Sequence, residues 1–392
     1  MKQEIFEELE NTSLPVIICG IGIVGEEIFN ICCNRGIEVT CFTDNRESVK
    51  DTKFLDLDVV LTSELKNHFH DALFIISCVS IKDAIVSLEI QGFNNFVYGK
   101  DFFDDYDLNQ YNNKLNYLTF AIENCILCQQ GYLNKDVLFM RSVDMMITER
   151  CSLKCKDCSN LMQYYESPKD INTEEILKDI DILINKIDSI MDFRLIGGDV
   201  FMNKNWHLFV DKACSEPKIE RVVLYTNGTI VPNEKYIKSL KDKKVLTIIT
   251  DYKGLSKKLN KLISLFELYN IRYHILEIDE WLDCSKVELH SRDINERKEI
   301  FRVCCAKNMT TFTEGKIFRC PYSANAYRLK AVPDFKHDYV DLYTQDRKDL
   351  INYLENKESL ITCDYCDGRP LSGVSVEPAI QIKDSVEYFK YE

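Results

Sequence analysis

Three cysteines stand close together in the segment MITERCSLKCKDCSN. Cys151, Cys155 and Cys158 are separated by three residues and then by two. Their thiolates are soft ligands that suit zinc or iron–sulfur clusters. Three basic residues lie beside them: Arg150, Lys154 and Lys156. Because positive charge lowers the pKa of a thiol and favours the thiolate, the segment predicts a metal centre.

The number of thiols distinguishes two kinds of centre. A structural zinc site needs a fourth Cys or His close by. The nearest downstream candidates, His207 and Cys214, do not have the spacing of paired ligands. Three close thiolates without a fourth ligand instead suit a [4Fe–4S] cluster with one open iron.

A second group of cysteines lies further along the chain. Nine residues separate Cys305 from Gly315 and four more separate Gly315 from Cys320, a pattern that predicts a strand, a Glu-Gly turn and a second strand. Cys363 and Cys366 form a distant C-x-x-C pair. These four thiols are enough for structural zinc, the commoner outcome for paired cysteines, or for a fully ligated [4Fe–4S] cluster.

Other cysteines fit apolar runs. Cys19, Cys78 and Cys214 lie in strand-like or helix-like stretches, where cysteine behaves as a small core residue. Cys125 and Cys128 also form C-x-x-C, but the surrounding residues are apolar at helical spacing. We therefore predict two core thiols there and not a metal site.

Composition sets the class of protein. The 392 residues allow two or three domains. A formal charge of −14 repels phosphate backbones and anionic headgroups, so we expect neither nucleic acid nor a membrane as partner. The acidic start of the sequence and the lack of a membrane-length apolar stretch predict a cytoplasmic protein. In that reducing compartment, 17 cysteines favour metal binding over disulfides.

A glycine pattern follows the first predicted strand. Gly20, Gly22 and Gly25 spell G-x-G-x-x-G between a strand and a helix, and Asp44 ends the next strand, where an acid can accept bonds from a ribose. The amides at the start of the helix would face a pyrophosphate. The same glycines also allow a helix to pack closely on a strand, so nucleotide binding and packing both stay open.

From residue 141 onward, strands and helices alternate. The predicted strands are 144–149, 192–198, 221–228, 245–251 and 271–278. Five strands separated by helices predict parallel pairing in a partial or full barrel, with the chemistry at the carboxyl ends of the strands. The residues at those ends are Gly197, Gly198 and Asp199, then Thr226, Asn227 and Gly228, then Thr250 and Asp251.

The motif C-x-x-x-C-x-x-C after the first strand of such a barrel resembles the radical S-adenosylmethionine superfamily. The resemblance implies that Cys151, Cys155 and Cys158 hold a [4Fe–4S] cluster whose open iron chelates S-adenosylmethionine. The family often has an aromatic residue before the third cysteine, whereas this chain has Asp157.

The resemblance also assigns roles to the strand ends. Gly197, Gly198 and Asp199 stand where family members carry a Gly-Gly-Glu that takes the methionine ammonium. Polar side chains at the next two strand ends commonly contact the ribose and the carboxylate, and here these are Thr226, Asn227, Thr250 and Asp251. A flavodoxin- or ferredoxin-type reductant is implied as partner.

The second cysteine group resembles the auxiliary-cluster region of the SPASM and shorter twitch subfamilies. The resemblance implies one auxiliary [4Fe–4S] cluster held by Cys305, Cys320, Cys363 and Cys366. Cys304 is left over, and we rank its roles as core residue, alternate ligand, then donor of a hydrogen atom to a substrate radical. Cys284 is a weaker candidate for the donor role.

The resulting fold class is α/β. The predicted parts are a Rossmann-like doubly wound domain over 1–105, a helical connector over 106–140, a partial radical S-adenosylmethionine barrel over 141–298 and a twitch-like region over 299–392. The first part resembles the small Rossmann-like domains of sugar- and polysaccharide-modifying enzymes.

The resemblances imply hydrogen abstraction from a sugar, a sugar nucleotide or a polyol by a 5′-deoxyadenosyl radical, leading to oxidation or epimerisation in glycan or secondary-metabolite assembly. An alternative is a peptide maturase that forms crosslinks, although no winged-helix pattern precedes the barrel. A different class also stays open, namely a non-catalytic zinc and nucleotide sensor.

Overall fold

The computed structural model describes residues 2–104, 114–134, 137–356, 358–370 and 373–392. Two compact units divide the chain: Met1–Gln110 with Leu115–Asp136, and Tyr111–Lys114 with Val137–Glu392. Each is a mixed α/β fold built on a largely parallel sheet. None of the helices in these described ranges is long and apolar enough to cross a membrane.

The first unit has a six-stranded sheet with a hydrophobic core on each face. Its elements are α1 (Lys2–Asn11), β1 (Val16–Cys19), α2 (Ile23–Asn34), β2 (Val39–Asp44), β3 (Lys53–Phe54), β4 (Leu57–Leu61), β5 (Leu73–Ile76), α3 (Ile81–Ile90), β6 (Phe96–Tyr98) and α4 (Tyr117–Leu133). The strand order is β3-β4-β2-β1-β5-β6, with β3 antiparallel to β4 and the other pairs parallel. Successive side chains of β1 point to opposite faces, so Ile18 joins one core and Ile17 the other.

Helix α4 belongs to this first unit and not to a separate connector. We predicted a connector over 106–140, but Ile122 and Ile126 of α4 pack into the same core as Ile18. Cys125 and Cys128 are fully buried on this helix, which confirms their prediction as core thiols. The domain boundary predicted near residue 105 lies outside the described residues.

The second unit contains an eight-stranded sheet. Its elements are β7 (Phe139–Thr148), α5 (Thr173–Lys186), β8 (Ser189–Gly197), α6 (Trp206–Ser215), β9 (Ile219–Thr226), β10 (Val245–Asp251), α7 (Leu259–Tyr269), β11 (Tyr273–Glu277), β12 (Trp281–Leu282), α8 (Ile294–Val303), β13 (Thr310–Thr313), β14 (Lys316–Phe318), α9 (Pro321–Leu329), β15 (Tyr339–Asp341), α10 (Arg347–Glu355) and β16 (Ser375–Val376). The order is β11-β10-β9-β8-β7-β13-β14-β15, and β7 to β11 are parallel throughout.

Two local predictions can be compared with this unit. The predicted hairpin is confirmed: β13 and β14 pair antiparallel around Glu314 and Gly315, both of which have positive φ. Between the strands predicted at 221–228 and 245–251 we expected a helix, and the structure has a 3-10 helix there, Glu234–Lys241. Its buried residues Ile237 and Leu240 are three apart, and this spacing aligns them on one face when a helix has three residues per turn.

Candidate functional site

The first cysteine group lies in the loop after β7, beside the end of β8. Gly198 N donates to Thr148 O across 3.1 Å. A Cβ atom added to Gly198 would lie 2.2 Å from Arg150 O and 2.7 Å from the Cβ atom of Cys151. Gly197 has a φ of +153° and a Cβ there would lie 2.1 Å from Thr148 O. The two glycines thus let the end of β8 touch the cysteine loop and fix its position.

A buried carboxylate connects the ends of β8 and β9 to this loop. Asp199 is fully buried, and its Oδ2 atom accepts from Thr226 Oγ1 (2.8 Å) and Asn227 N (2.9 Å). Its Oδ1 atom accepts from Phe201 N at 3.0 Å. Burial raises the pKa of Asp199, and these hydrogen bonds oppose that rise. Asn227 Nδ2 in turn donates to the Sγ atom of Cys151 at 3.5 Å.

Asp199, Thr226 and Asn227, which we predicted at the strand ends, form one hydrogen-bonded group. Asp199 already uses both carboxylate oxygens within the protein, so it orients Asn227 toward the cysteines. Its predicted contact with a methionine ammonium stays a prediction, as do the ligand contacts of Thr226 and Asn227.

The end of β10 adds a residue that we did not predict. Thr250 is buried there, and Asp251 Oδ1 accepts from Lys253 N at 2.7 Å in the following turn. Tyr252 comes next, and its ring contacts Trp281 edge to face, with 5.7 Å between centroids. Burial raises the pKa of Tyr252, and the thiols of all three cysteines raise it further. The phenol of Tyr252 therefore lies near the first cysteine group.

The basic neighbours do not activate these thiols as predicted. Arg150 Nη1 pairs with Asp170 Oδ2 at 3.2 Å, and Lys154 Nζ donates to a serine hydroxyl in the last segment of the chain. Burial instead raises the pKa of Cys151 to about 12 and that of Cys155 to about 11. A metal centre that binds here must therefore displace protons from the thiols.

In the second group, four cysteines line one cavity: Cys304, Cys320, Cys363 and Cys366. Cys305, which we predicted as a ligand in place of Cys304, is exposed and does not line this cavity. The reason is local. Helix α8 ends one residue before Cys304, whose backbone is extended (φ −70°, ψ 124°). Successive side chains of an extended backbone point to opposite sides, so only one of the two adjacent thiols can face the cavity.

Hydrogen bonds hold the C-x-x-C turn of this group. Arg292 Nη1 donates to Cys363 O (2.9 Å) and to Cys366 O (2.7 Å), which fixes the C-x-x-C turn. Gly368 N donates to Cys366 Sγ at 3.3 Å. Cys320 is the N-cap residue of α9, and its side chain forms no capping hydrogen bond. Burial raises the pKa values of Cys320 and Cys363 to about 12.

Two further cysteines lie next to this cavity. Cys284 is buried, and burial raises its pKa to about 11 while Arg369 lowers it. The same arginine lowers the pKa of Cys305, although burial raises it overall. The hydrogen-donor role of Cys284 stays a prediction, and the position of Cys304 favours the ligand role among the three that we considered.

The glycine turn of the first unit has features of both predicted uses. Gly20 has a φ of +115°, and a Cβ atom on Gly25 would lie 2.3 Å from Gly20 O, so both are required for packing. No described atom lies within 4 Å of a Cβ atom on Gly22. Asp44 pairs with Arg46 (Nε to Oδ1, 2.9 Å). Burial raises the pKa of Asp44, but its bonds with Arg46 lower it overall.

The spacing of the thiols distinguishes a single metal ion from a cluster. Among the described residues, no three His, Cys, Asp or Glu side chains converge tightly enough to hold a single metal ion. A [4Fe–4S] cluster binds its cysteines through separate iron atoms, so its thiols surround a volume. The four cavity-lining cysteines fit that arrangement. The three thiols of the loop after β7 lie close enough to raise one another's pKa.

Family comparisons identify the central part of the chain. Residues 145–277 match the family described as the Radical SAM superfamily. The chain contains a radical SAM superfamily domain. This match spans the first cysteine group and the ends of β8, β9 and β10. Residues 12–93 match the family described as C2185-like, N-terminal. No curated protein sequence matches the chain.

Solved radical SAM enzymes are similar to the chain at low identity. BtrN in complex with AdoMet and 2-DOIA has 16% identity and a TM-score of 0.38, over 58% of this chain and 93% of BtrN. The anSMEcpe structure with AdoMet and the Cp18Cys peptide has 13% identity and a TM-score of 0.38, over 55% and 81%. Streptococcus suis SuiB bound to S-adenosylmethionine has 15% identity and a TM-score of 0.29, over 41% and 39%. Scores in this range do not transfer a substrate to this chain.

The radical SAM domain has a polar inner face that we did not predict. Asp144 and Arg194 lie opposite each other on β7 and β8, with 2.5 Å between Oδ1 and Nε. Residues that alternate with them pack against the helices, so this pair faces the other side of the sheet. Arg194 also interacts with the phenol of Tyr225, which is half-buried. A second buried pair, Asp192 and Arg221, lies nearby (2.6 Å).

Sequence patterns could have indicated only some of the missed residues. Tyr252 directly follows Asp251 at a predicted strand end, so the rule that placed its neighbour could have included it. Arg292 and Gln381 contact the cysteine segments from positions more than 70 residues away. No local pattern marks such contacts.

Proposed function

We propose that this chain is a radical SAM enzyme that dehydrogenates a sugar, a sugar nucleotide or a polyol. The observation that carries the proposal is that one unit contains two separate sets of cysteines. Three thiols follow β7, where a cluster with one open iron fits, and four line a cavity, where a fully ligated cluster fits.

The two groups suit different tasks. When bound, the first cluster with S-adenosylmethionine supplies a 5′-deoxyadenosyl radical that removes a hydrogen atom, and the second supplies an acceptor for the electron released by a dehydrogenation. Cys151, Cys155 and Cys158 would hold the first cluster, and Asn227 would keep Cys151 in position through its N–H···S bond. A flavodoxin- or ferredoxin-type protein would act as reductant.

The position of Cys304 favours dehydrogenation over epimerisation. Epimerisation needs a side chain that returns a hydrogen atom to the substrate. If Cys304 completes the second cluster, it is not available as that donor, and Cys284 is buried beside Arg369. Four cysteine ligands around the cavity, Cys304 among them, therefore support net removal of hydrogen.

The inner face of the radical SAM domain supports a hydroxylated substrate. Asp144, Arg194 and Tyr225 combine an acceptor, a donor and a hydroxyl group on one face of the sheet. Burial raises the pKa of Asp144, although Arg194 opposes this shift. Alcohol groups of a sugar can bond to each of these side chains, and bonds to charged partners contribute about 1.5–3 kcal/mol each.

The first test measures the metal content of the anaerobically reconstituted protein. We expect iron and sulfide for two [4Fe–4S] clusters in the wild type and for one in a triple Cys→Ala variant at Cys151, Cys155 and Cys158. Reduced wild type should cleave S-adenosylmethionine to methionine and 5′-deoxyadenosine, and the triple variant should not. A wild type without iron, with zinc in either group, would support the zinc sensor instead.

A product screen then distinguishes the substrates. Dehydrogenation of a sugar lowers its mass by two hydrogens and creates a carbonyl that a hydrazine reagent can trap. Crosslinking of a peptide also removes two hydrogens but creates no carbonyl, and this outcome would favour the maturase. A product of unchanged mass and inverted configuration would favour epimerisation.

A further inference from the structure

The last segment of the chain, residues 379–391, lies along the loop of the first cysteine group. Lys156 N donates to Ile380 O at 2.7 Å, and Ile382 N donates to Lys154 O at 2.9 Å. The segment therefore pairs with the loop as an antiparallel strand would. We call residues 379–391 the C-terminal clasp.

The side chain of Gln381 reaches a cysteine from this clasp. Gln381 Nε2 donates to the Sγ atom of Cys155 at 3.2 Å and to Ala379 O at 2.7 Å. Its Oε1 atom accepts from Lys154 N at 2.8 Å. Because Lys154 N can only donate and Ala379 O can only accept, the amide is held in the orientation that points N–H at the sulfur.

The rest of the clasp is anchored by packing. Val386 N donates to Gln163 O at 3.0 Å, and the ring of Tyr388 contacts Tyr164 edge to face, with 5.3 Å between centroids. Tyr164, Val386 and Tyr388 belong to a hydrophobic cluster that also includes Cys320 and Cys366 of the second group. The clasp is thus attached to the radical SAM loop and to the region of the second cavity.

We propose that the C-terminal clasp is a positioning element for the first iron–sulfur cluster, and that the Gln381 amide makes this cluster easier to reduce through its N–H···S bond to Cys155. This inference rests on the proposed function, because it requires a cluster at the first cysteine group.

The direction in which the midpoint potential changes follows from charge. Reduction adds negative charge to the cluster and its cysteine sulfurs, and a hydrogen-bond donor on a sulfur stabilises that charge. Removing the donor therefore lowers the midpoint potential. Replacing it with a carboxylate lowers the potential further, because a negative group then faces the sulfur.

Three variants of the full chain separate this bond from general effects of the clasp. Gln381→Leu removes the donor at similar size, and Gln381→Glu replaces it with a carboxylate. Ile380→Ala is the matched control, because the bond from Lys156 reaches the backbone of this exposed residue and not its side chain.

The main measurement is a redox titration of the reconstituted protein followed by electron paramagnetic resonance. The first cluster is recognised by the change of its signal when S-adenosylmethionine is added. We expect the midpoint potential to fall from wild type and Ile380→Ala to Gln381→Leu, and again to Gln381→Glu. Equal potentials in Gln381→Leu and Ile380→Ala would overturn the proposed role of the amide.

Hydrogen exchange tests the clasp without relying on a cluster. In wild type, with and without metal, we expect the amides of Lys156 and Ile382 to exchange at least about tenfold more slowly than in an unfolded chain. Unprotected exchange at both amides would overturn the clasp itself. If the wild type shows no cluster signal, the proposed function fails, while this measurement still decides whether the clasp exists.

Discussion

Replacing Gly198 with alanine should remove the first cluster and spare the second. An added Cβ atom would lie 2.2 Å from Arg150 O, whereas ordinary contacts begin at 3.4 Å. The carbonyl must therefore retreat by about 1.2 Å (3.4 minus 2.2). That movement would stretch the 2.9 Å bond from Asp199 N to Arg150 O beyond hydrogen-bonding distance.

The free-energy cost of Gly198→Ala can be calculated from these two contacts. Overpacking in a tight site costs about 1–3 kcal/mol, and a lost hydrogen bond costs about 1 kcal/mol. We therefore expect the correctly placed cysteine loop to be disfavoured by about 2–4 kcal/mol, which corresponds to roughly 30- to 900-fold. The three atoms nearest to the added Cβ atom belong to Arg150 and Cys151 of the first cysteine loop and not to the second cavity, so the second cluster should remain.

The assay is iron per chain after anaerobic reconstitution, together with affinity for S-adenosylmethionine. Gly198→Ala should lose about half of the iron and bind S-adenosylmethionine at least about 30-fold more weakly. Gly254→Ala is the control, because no described atom lies within 4 Å of its added Cβ atom. Full iron content and unchanged affinity in Gly198→Ala would refute the argument that this glycine positions the loop.

Three further predictions concern other residues of the two units. Cys304→Ala should lose the iron of the second cluster and Cys305→Ala should retain it, because only Cys304 lines the cavity; the reverse result in iron analysis would restore our original assignment. Tyr225→Phe should lower kcat/KM for the substrate by about 5- to 50-fold while basal cleavage of S-adenosylmethionine persists. Tyr269→Phe is the control and should change neither rate, because this half-buried side chain bonds to Glu234 and not to the polar face. If the glycine turn binds a phosphate, Gly22→Asp should abolish nucleotide binding in calorimetry, because the carboxylate repels the phosphate. Unchanged binding in this variant would leave the glycines with a packing role.

Much of the architecture could be predicted from local patterns. The parallel strands β7 to β11 were predicted from apolar runs separated by helical segments, because hydrophobic periodicity reflects which side of an element is buried. The positions of Gly197, Thr226 and Thr250 at strand ends followed from the same patterns. Parallel strands then bring their carboxyl ends to one edge, so these residues meet by topology alone.

Contacts between distant segments could not be predicted in this way. Cys304 and Cys305 are adjacent and have the same local sequence environment, so the sequence does not show which thiol faces the cavity. The end of α8 and the extended backbone after it turn Cys304 toward the cavity. Gln381 meets Cys155 across 226 positions because the clasp packs on the cysteine loop, and no spacing rule covers such a distance. The sequence by itself determined the strands, the helices and the chemical groups at their ends, because those depend on neighbours along the chain. Only the tertiary structure decided which thiols face a common volume and which side chains support them, because those depend on packing between segments that the sequence keeps far apart.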